Sequence, residues 1–442
     1  MRLHFAIGKS FLVRPGKAAI TFVLVTVTLD VLAMGLIIPV LPDLILGFLG
    51  GRMTSAANWT TAFTLVFALI QFFCSPVLGV LSDQVGRRPI ILLSNLGLGL
   101  DYIVMALAPT IQWLFLGRLI SGITTASIPT AMAYIADITP KEKRAAAFGG
   151  IGMAFGIGFA FGPAIGGLLS HFNPRLAFWV AAGLSLTNWL WSYFFVPESL
   201  AAEKRKPFAL RRANPLGSLK LLRSHHELWQ LASVQLIAYI AHNVFGVWVL
   251  YTIYRYSWGE LTNGLSLMVV GIVTALISGF LTGPMVKRFG EKRTLYTGQF
   301  FGALGMLGAG LAKTGGWLFA SIPVMSLWNM SMPAAQSIMT RRVSEQEQGE
   351  LQGAISSLRS ITFIIGPVIF LQIFRWFIDP KNGDPVPGAP FFLAAALLFT
   401  TALISTRMKV ADTRIPPKPV VPDEPEVTPG MVPPGAPEPP SR

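Results

Sequence analysis

Three charged residues lie inside long apolar runs. Asp30 falls about twelve residues into the run that opens near Ala18, and Asp101 falls about twelve residues into the run 89–109. Arg118 lies about six or seven residues into the run 112–135. At 1.5 Å of rise per helical residue, both acids reach roughly the middle of a hydrocarbon layer about 30 Å thick, and Arg118 stays nearer one face. A charge at that depth costs about 2.5–3.5 kcal/mol on insertion scales, so such residues are functional candidates by default. The chemistry open to them is the uptake and release of a proton. Burial raises a carboxyl group's hold on its proton and a nearby guanidinium weakens it, so a change of shape that alternates the two influences carries a proton across. The alternative is a structural ion pair between Arg118 and one aspartate, which leaves the other aspartate to be explained.

A second constellation lies outside the apolar runs. Residues 79–88 read Gly79-Val-Leu-Ser-Asp83-Gln-Val-Gly86-Arg87-Arg88. This is a tight turn between two helices: Gly79 lets neighbouring helices approach, Gly86 can take positive φ, and Asp83, Arg87 and Arg88 can lock to other loops through charge-assisted hydrogen bonds. The partners at hand are Asp137, at the end of the fourth apolar run, and Arg144, just before the fifth. An ordinary charged turn is the alternative. Residues 283–293, GPMVKRFGEKR, repeat the pattern with Gly283 and Gly290 at the same spacing, but Lys287 replaces Asp83. The fifth run holds Gly158, Gly162, Pro163, Gly166 and Gly167. Small residues four apart allow close helix contact and the proline kinks the helix, which serves either packing or a bend that seals one side of a cavity. Gly366-Pro367 is a weaker counterpart. Gln71, Gln235, His242, Asn243, Gln299 and Gln336 are polar residues in apolar runs that either line a cavity or bond between helices. His242 stands out because its charge changes near neutral pH. The second half has no Asp or Glu inside a run, which places proton handling mainly in the first half.

Twelve helices must position these groups. Apolar runs lie near 18–41, 58–81, 89–109, 112–135, 146–169, 176–197, 229–253, 262–286, 294–312, 316–339, 352–377 and 389–408, each of a length to cross a bilayer. Of the 442 residues 52% are hydrophobic and 13% charged, about half the charged share of a soluble domain. The net charge of +14 raises the question of nucleic acid, and its placement answers it. Of the 35 Lys and Arg, 27 fall in the termini and alternate loops, six in the other loops and two in helices. That is the positive-inside pattern, which puts the basic loops and both termini in the cytoplasm. The chain divides into an N-terminal arm 1–17, a six-helix bundle 18–197, a linker 198–228, a second bundle 229–408 and a tail 409–442. The tail, with eleven prolines from Ala411 onward, is expected to be disordered. His225-His226 could bind metal, but with no Cys or further His nearby it reads as a solvated loop feature. Cys74, the single cysteine, reads as packing. No cleavable signal peptide is evident, since the first apolar run is long enough to stay as an anchor.

At this point the chain resembles a known family, the major facilitator superfamily, and within it the tetracycline/proton antiporter branch. The strings that carry the likeness are LDVLAMGLIIPVLPDL, LSDQVGRRPIILLS, LDYIVMALAP, LGRLISGIT, YIADITPKEKR, FGPAIGG, TGPMVKRFGEKR and MPAAQSIMTRRVSEQEQGELQGAISSL, and the match runs from about Leu29 to Thr406. The resemblance implies a proton-driven exporter that alternates between inward-open and outward-open states. It implies a cytoplasmic charge network of Asp83, Arg87, Asp137 and Arg144, Arg118 as the membrane arginine, Asp30 and Asp101 as the membrane acids, and Gln71 and Gln336 as polar cavity positions. There are departures. Gly302 occupies the place of the aspartate that the branch's tetracycline pumps carry in span nine, and His242 stands where relatives have glutamine. Both fall in the half where substrate contacts differ most.

The reading is therefore an all-α membrane protein of twelve transmembrane helices in two pseudo-symmetric six-helix bundles around a central cavity. It is a multi-pass protein of the inner (plasma) membrane and is expected to act as a monomer. Its partners are a small organic substrate, protons and the lipid bilayer, without nucleic acid, metal or cofactor. With no nucleotide-binding loop, ATP is not the expected energy source. An uptake permease of the same fold is the first rival, and a non-transporting receptor or scaffold the second. No nucleophile–base pair points to an enzyme.

Overall fold

The computed structural model describes residues 17–139, 144–208, 214, 219–224, 226–343 and 347–408. The N-terminal arm before Lys17, the tail from Lys409, Lys141, Lys143, His225 and the side chains of Arg144 and His226 lie outside the described residues. Among the described residues every regular element is a helix. The first bundle is built from α1 (Lys17–Ile37), α2 (Val40–Phe48), α3 (Met53–Val85), α4 (Arg87–Leu107), α5 (Ile111–Thr124), α6 (Ser127–Ile138), α7 (Arg144–Phe172) and α8 (Leu176–Phe195). A short α9 (Leu219–Ser224) precedes the second bundle. That bundle holds α10 (His226–His242), α11 (Trp248–Tyr256), α12 (Glu260–Leu276), α13 (Thr282–Phe289), α14 (Glu291–Leu311), α15 (Gly315–Ser326), α16 (Ser331–Thr340), α17 (Gln348–Ile378) and α18 (Ala389–Arg407).

Several of these are pieces of one crossing. α10 and α11 are joined by a 3₁₀ turn, Asn243–Val247, and α15 and α16 by another, Leu327–Met330. A π-helical turn, Ile277–Leu281, joins α12 to α13. With α1–α2 and α5–α6 counted as single crossings, twelve segments remain, as expected. Among the described residues, nine of them are long and apolar enough to cross a membrane on their own composition. α8, α14 and α15–α16 fall outside that group. α8 carries Asn188 among three tryptophans, and α14 opens on Glu291-Lys292-Arg293.

The apolar core explains how the bundles meet. One cluster runs through both, joining Ile37, Phe63 and Phe178 to Trp248, Tyr251 and Phe374. Near the basic loops the core splits in two. Val23, Ile91, Tyr134 and Ile151 form a cluster within the first bundle, and Leu228, Leu295, Ile338 and Leu351 form one within the second. The bundles are thus fused at one end and separate at the end that bears the basic loops.

α7 is the seam. Gly158, Gly162 and Gly166 face α1, where a Cβ on Gly162 would fall 2.7 Å from the Cα of Gly35 and one on Gly35 2.8 Å from the carbonyl oxygen of Gly158. Gly167 and Pro163 face α12 of the other bundle instead, against Glu260 and Gly264, and Gly271 packs on Ala160. Further toward the basic end the two helices part: the space beside Gly149, Gly152 and Gly156 of α7 is open, as it is beside Gly279 and Gly283. A polar contact fixes the same closed end on the opposite side, where Gln372 of α17 donates to Thr61 at 3.0 Å and Asn58 at 3.2 Å on α3.

Candidate functional site

The membrane charges lie inside the first bundle. Asp101 of α4 is fully buried, and Arg118 of α5 approaches it at 3.6 Å. Gly117 lies directly against the Asp101 carboxylate, so a side chain there would displace it. The Arg118 guanidinium also donates to the Met105 sulfur at 3.2 Å and lies 5.6 Å from the centre of the Phe67 ring. Asp30 is held separately. Asn188 of α8 donates to its Oδ1 at 2.9 Å and also to the Thr26 carbonyl, while Oδ2 has no hydrogen-bond partner. The ion pair weighed for Arg118 is therefore with Asp101, and Asp30 is the acid left without a cation. Nothing in the pattern of apolar runs marked Asn188; it is one polar residue on a tryptophan-rich helix.

Beside Arg118 lies a cavity of about 250 Å³. Met34, Phe63 and Phe67 of the first bundle wall it on one side, and Gly246 and Phe363 of the second close it on the other. The wall of the second bundle continues toward the basic end. His242 stacks on Trp328 with ring centres 4.6 Å apart, and the Gln336 amide donates to Gln352 at 3.0 Å. The two 3₁₀ turns that interrupt crossings of the second bundle lie here, since His242 precedes one and Trp328 belongs to the other. Irregular backbone at membrane depth is tolerated where it is buried in protein or lines a cavity.

Among the polar candidates, His242 and Gln336 are exposed on this wall and Gln71 is half-buried on α3. Asn243 turns its amide back to the Tyr239 carbonyl and is seated against Gly366. Gln299 is not a cavity residue: it is fully buried between α14 and α18, where Ser405 donates to it at 3.0 Å. Gln235 is likewise buried. Gly302, in the place expected to hold an acid, packs against Trp328, whose Cβ lies 2.7 Å from where a side chain would begin. The Trp328 Cβ and Cα and the Leu398 methyl leave no room there for a carboxylate side chain. Sequence reasoning missed Arg359 of α17 as a site residue, although it is one of the two cations that fall inside apolar runs. It lies over the Tyr239 ring, 5.8 Å from its centre.

At the basic end the turn Gly79–Arg88 does what its residue types allow. Gly86 has φ of +110°. Arg87 bonds Asp83 at 2.6 Å and Asp137 at 3.0 Å, and donates to the Ser82 hydroxyl. Arg144 opens α7 nearby in the chain, but its side chain is outside the described residues. The close approach expected at Gly79 is absent, since the space beside it is open; the contact of α3 with α17 lies at the other end. Glu198 is the member the sequence did not announce. Its carboxylate accepts from the backbone N–H of Arg87 at 2.8 Å and of Arg88 at 3.3 Å, an acid at the positive end of α4. Arg88 reaches back to the Tyr193 carbonyl at the end of α8.

The second copy of the turn has its own lock with the charges exchanged. After Gly290, with φ of +85°, Glu291 bonds Arg341 at 2.9 Å and accepts from Ser337 at 2.5 Å. Glu291 and Arg341 stand at the same interval along the chain as Arg87 and Asp137. The comparison of 79–88 with 283–293 contained this signal: the residue after the second glycine is Arg in one copy and Glu in the other.

The match to known proteins is reached through this architecture. Residues 23–367 and 264–429 match the Major Facilitator Superfamily. The chain belongs to that superfamily. It is 39% identical over 377 residues to the tetracycline resistance protein, class C, of Escherichia coli, covering 85% of this chain and 94% of that one. It is 34% identical to the class G protein of Vibrio anguillarum over 83% of this chain and 93% of the relative. This likeness places the facilitator within the tetracycline resistance branch. A solved nucleoside transporter, NupG in a mutant form, shares the fold with a TM-score of 0.71 at 13% identity, covering 88% of this chain and 99% of that chain. As a member of this branch the protein is a membrane transporter.

A prediction follows at the basic end of this facilitator. Asp83→Asn should lower transport by about fivefold, because a half-exposed ion pair contributes on the order of 1 kcal/mol to the conformation in which it is formed. Expression and membrane insertion should be unchanged. Wild-type transport rates from both Asp83→Asn and Arg87→Ala would show that the cluster is not a lock.

Proposed function

We propose that the protein exports small amphipathic organic compounds in exchange for protons, by alternating access between its two bundles. The observation that carries this reading is the split core: the bundles share one apolar cluster at one end and separate clusters at the basic end, so a rocking motion exchanges which end is sealed. The basic loops lie on the cytoplasmic side by the positive-inside rule, so this conformation is the inward-open one and both termini are cytoplasmic. Asp30 and Asp101 take and release the proton, and the protonation state biases one conformation over the other. A ligand shifts such an equilibrium only by its difference in affinity for the two states, so proton and substrate compete through shape. The names of the relatives make tetracyclines the first compounds to test. The absence of an acid at Gly302, where Trp328 and Leu398 leave no room for one, supports a substrate range that differs from theirs.

The test is accumulation in everted vesicles. Vesicles acidified inside should load substrate, and collapse of the pH gradient should release it. A panel of lipophilic drugs with a pump-deficient host identifies the substrate. Uptake of a sugar or amino acid with no resistance to any drug of the panel would overturn the reading in favour of a permease.

A further inference from the structure

We infer that the cavity wall of the second bundle recognises an anionic group on the substrate, with Arg359 as its charge partner. This rests on the cavity being the transport site. Arg359 lies about three turns into α17. It shares a helix face with Gln352, Ser356 and Phe363, all exposed, and Phe363 lines the cavity opposite residues of the first bundle. That face therefore looks into the cavity rather than into lipid.

Three arginines beside the cavity and at the basic end have acids. Arg118 has Asp101, Arg87 has Asp83 and Asp137, and Arg341 has Glu291. Among the described residues no carboxylate stands within ion-pair distance of Arg359; its neighbour is the π face of Tyr239. A second donor accompanies it. Trp328 is buried, and its indole N–H has no hydrogen-bond partner. His242 stacks on that indole. The wall thus offers donors and aromatic faces, with no anion to balance them. A guanidinium presents its N–H groups in a planar fork that matches an oxyanion with two oxygens. The complementary ligand is a flat aromatic body with a carboxylate, enolate or sulfonate. A cationic ligand meets the like charge of Arg359 on this wall, with only a cation–π contact to the aromatic faces to offset it.

The experiment uses the purified full-length protein in detergent, without a proton gradient, and three probes of one shape: 2-naphthoate, neutral 2-naphthamide and cationic 2-naphthylmethylamine. Binding is measured by titration calorimetry. The naphthoate should bind about tenfold or more tightly than the amide, the scale of a charge-assisted hydrogen bond, and the amine most weakly. Arg359→Gln should bring naphthoate down to the level of the amide while leaving the amide unchanged, and Arg359→Lys should keep part of the preference. Gel filtration of each variant shows that it is folded. Equal or tighter binding of the amine by the wild type, an unchanged preference in Arg359→Gln, or no saturable binding of naphthoate would overturn the inference. Because no gradient is present, failure of proton exchange in vesicles leaves this result untouched, and the two ideas fail separately.

Discussion

Asp30→Asn protein in proteoliposomes should bind substrate and yet fail to accumulate it against a gradient. Asparagine keeps the size of the side chain and can still accept the Asn188 bond made at 2.9 Å, so the helices around it have no reason to move. What disappears is the only proton site at that position. Oδ2 of Asp30 has no hydrogen-bond partner and no cation within ion-pair distance among the described residues, which leaves it available to carry a proton. Accumulation driven by the pH gradient should fall by about a hundredfold or more, the consequence of losing the coupled ion rather than weakening it. Asp101→Asn should behave differently, because it strands Arg118 in a buried setting; removing one partner of such a pair costs about 3–5 kcal/mol. That variant should lose thermal stability as well as transport. If both single variants and the double variant still concentrate substrate, the proton travels elsewhere and His242 is the next group to test.

Gly162→Val should remove most folded protein from the membrane. A Cβ there falls 2.7 Å from the Cα of Gly35, and the obstacle is backbone, which cannot rotate away. Overpacking costs about 1–3 kcal/mol where side chains can adjust; here α1 and α7 must separate along their length. Gly149→Val on the same helix meets open space and should leave expression and the unfolding temperature near wild type. Thermal unfolding of the two purified variants decides the matter, and equal stability would mean that the α1–α7 contact is not a structural requirement.

The sequence made much of this legible. Apolar runs located the twelve crossings, three of them only marginally apolar, although they could not foresee that five of them are built from two pieces. The breaks at Asn243–Val247 and Leu327–Met330 carry no proline or glycine signal strong enough to separate them from continuous helix. The partners of Arg87 were readable, because Asp83 and Asp137 are charges at helix ends and have few other places to go. Glu198 was not, since its role depends on the end of α8 returning to the start of α4. The polar residues divided according to which face of the helix they occupy: Gln336 is exposed on the cavity wall and Gln299 is buried against Ser405. A glutamine in an apolar run looks the same in both cases until the neighbouring helix is known.

The shared apolar cluster also sets an order of events in the making of the protein. The first bundle is synthesised first, and the side chains of α3 and α7 that meet α17 and α12 wait for those helices to emerge. In the interval those side chains face lipid tails, which are as apolar as the partners to come. Little is gained by hiding them early and little is lost by waiting. The clusters near the basic loops need no such wait, because each closes within its own half. Maturation therefore ends with the docking of two nearly finished bundles at the sealed end, and the last contacts formed are the ones that the proposed rocking motion breaks.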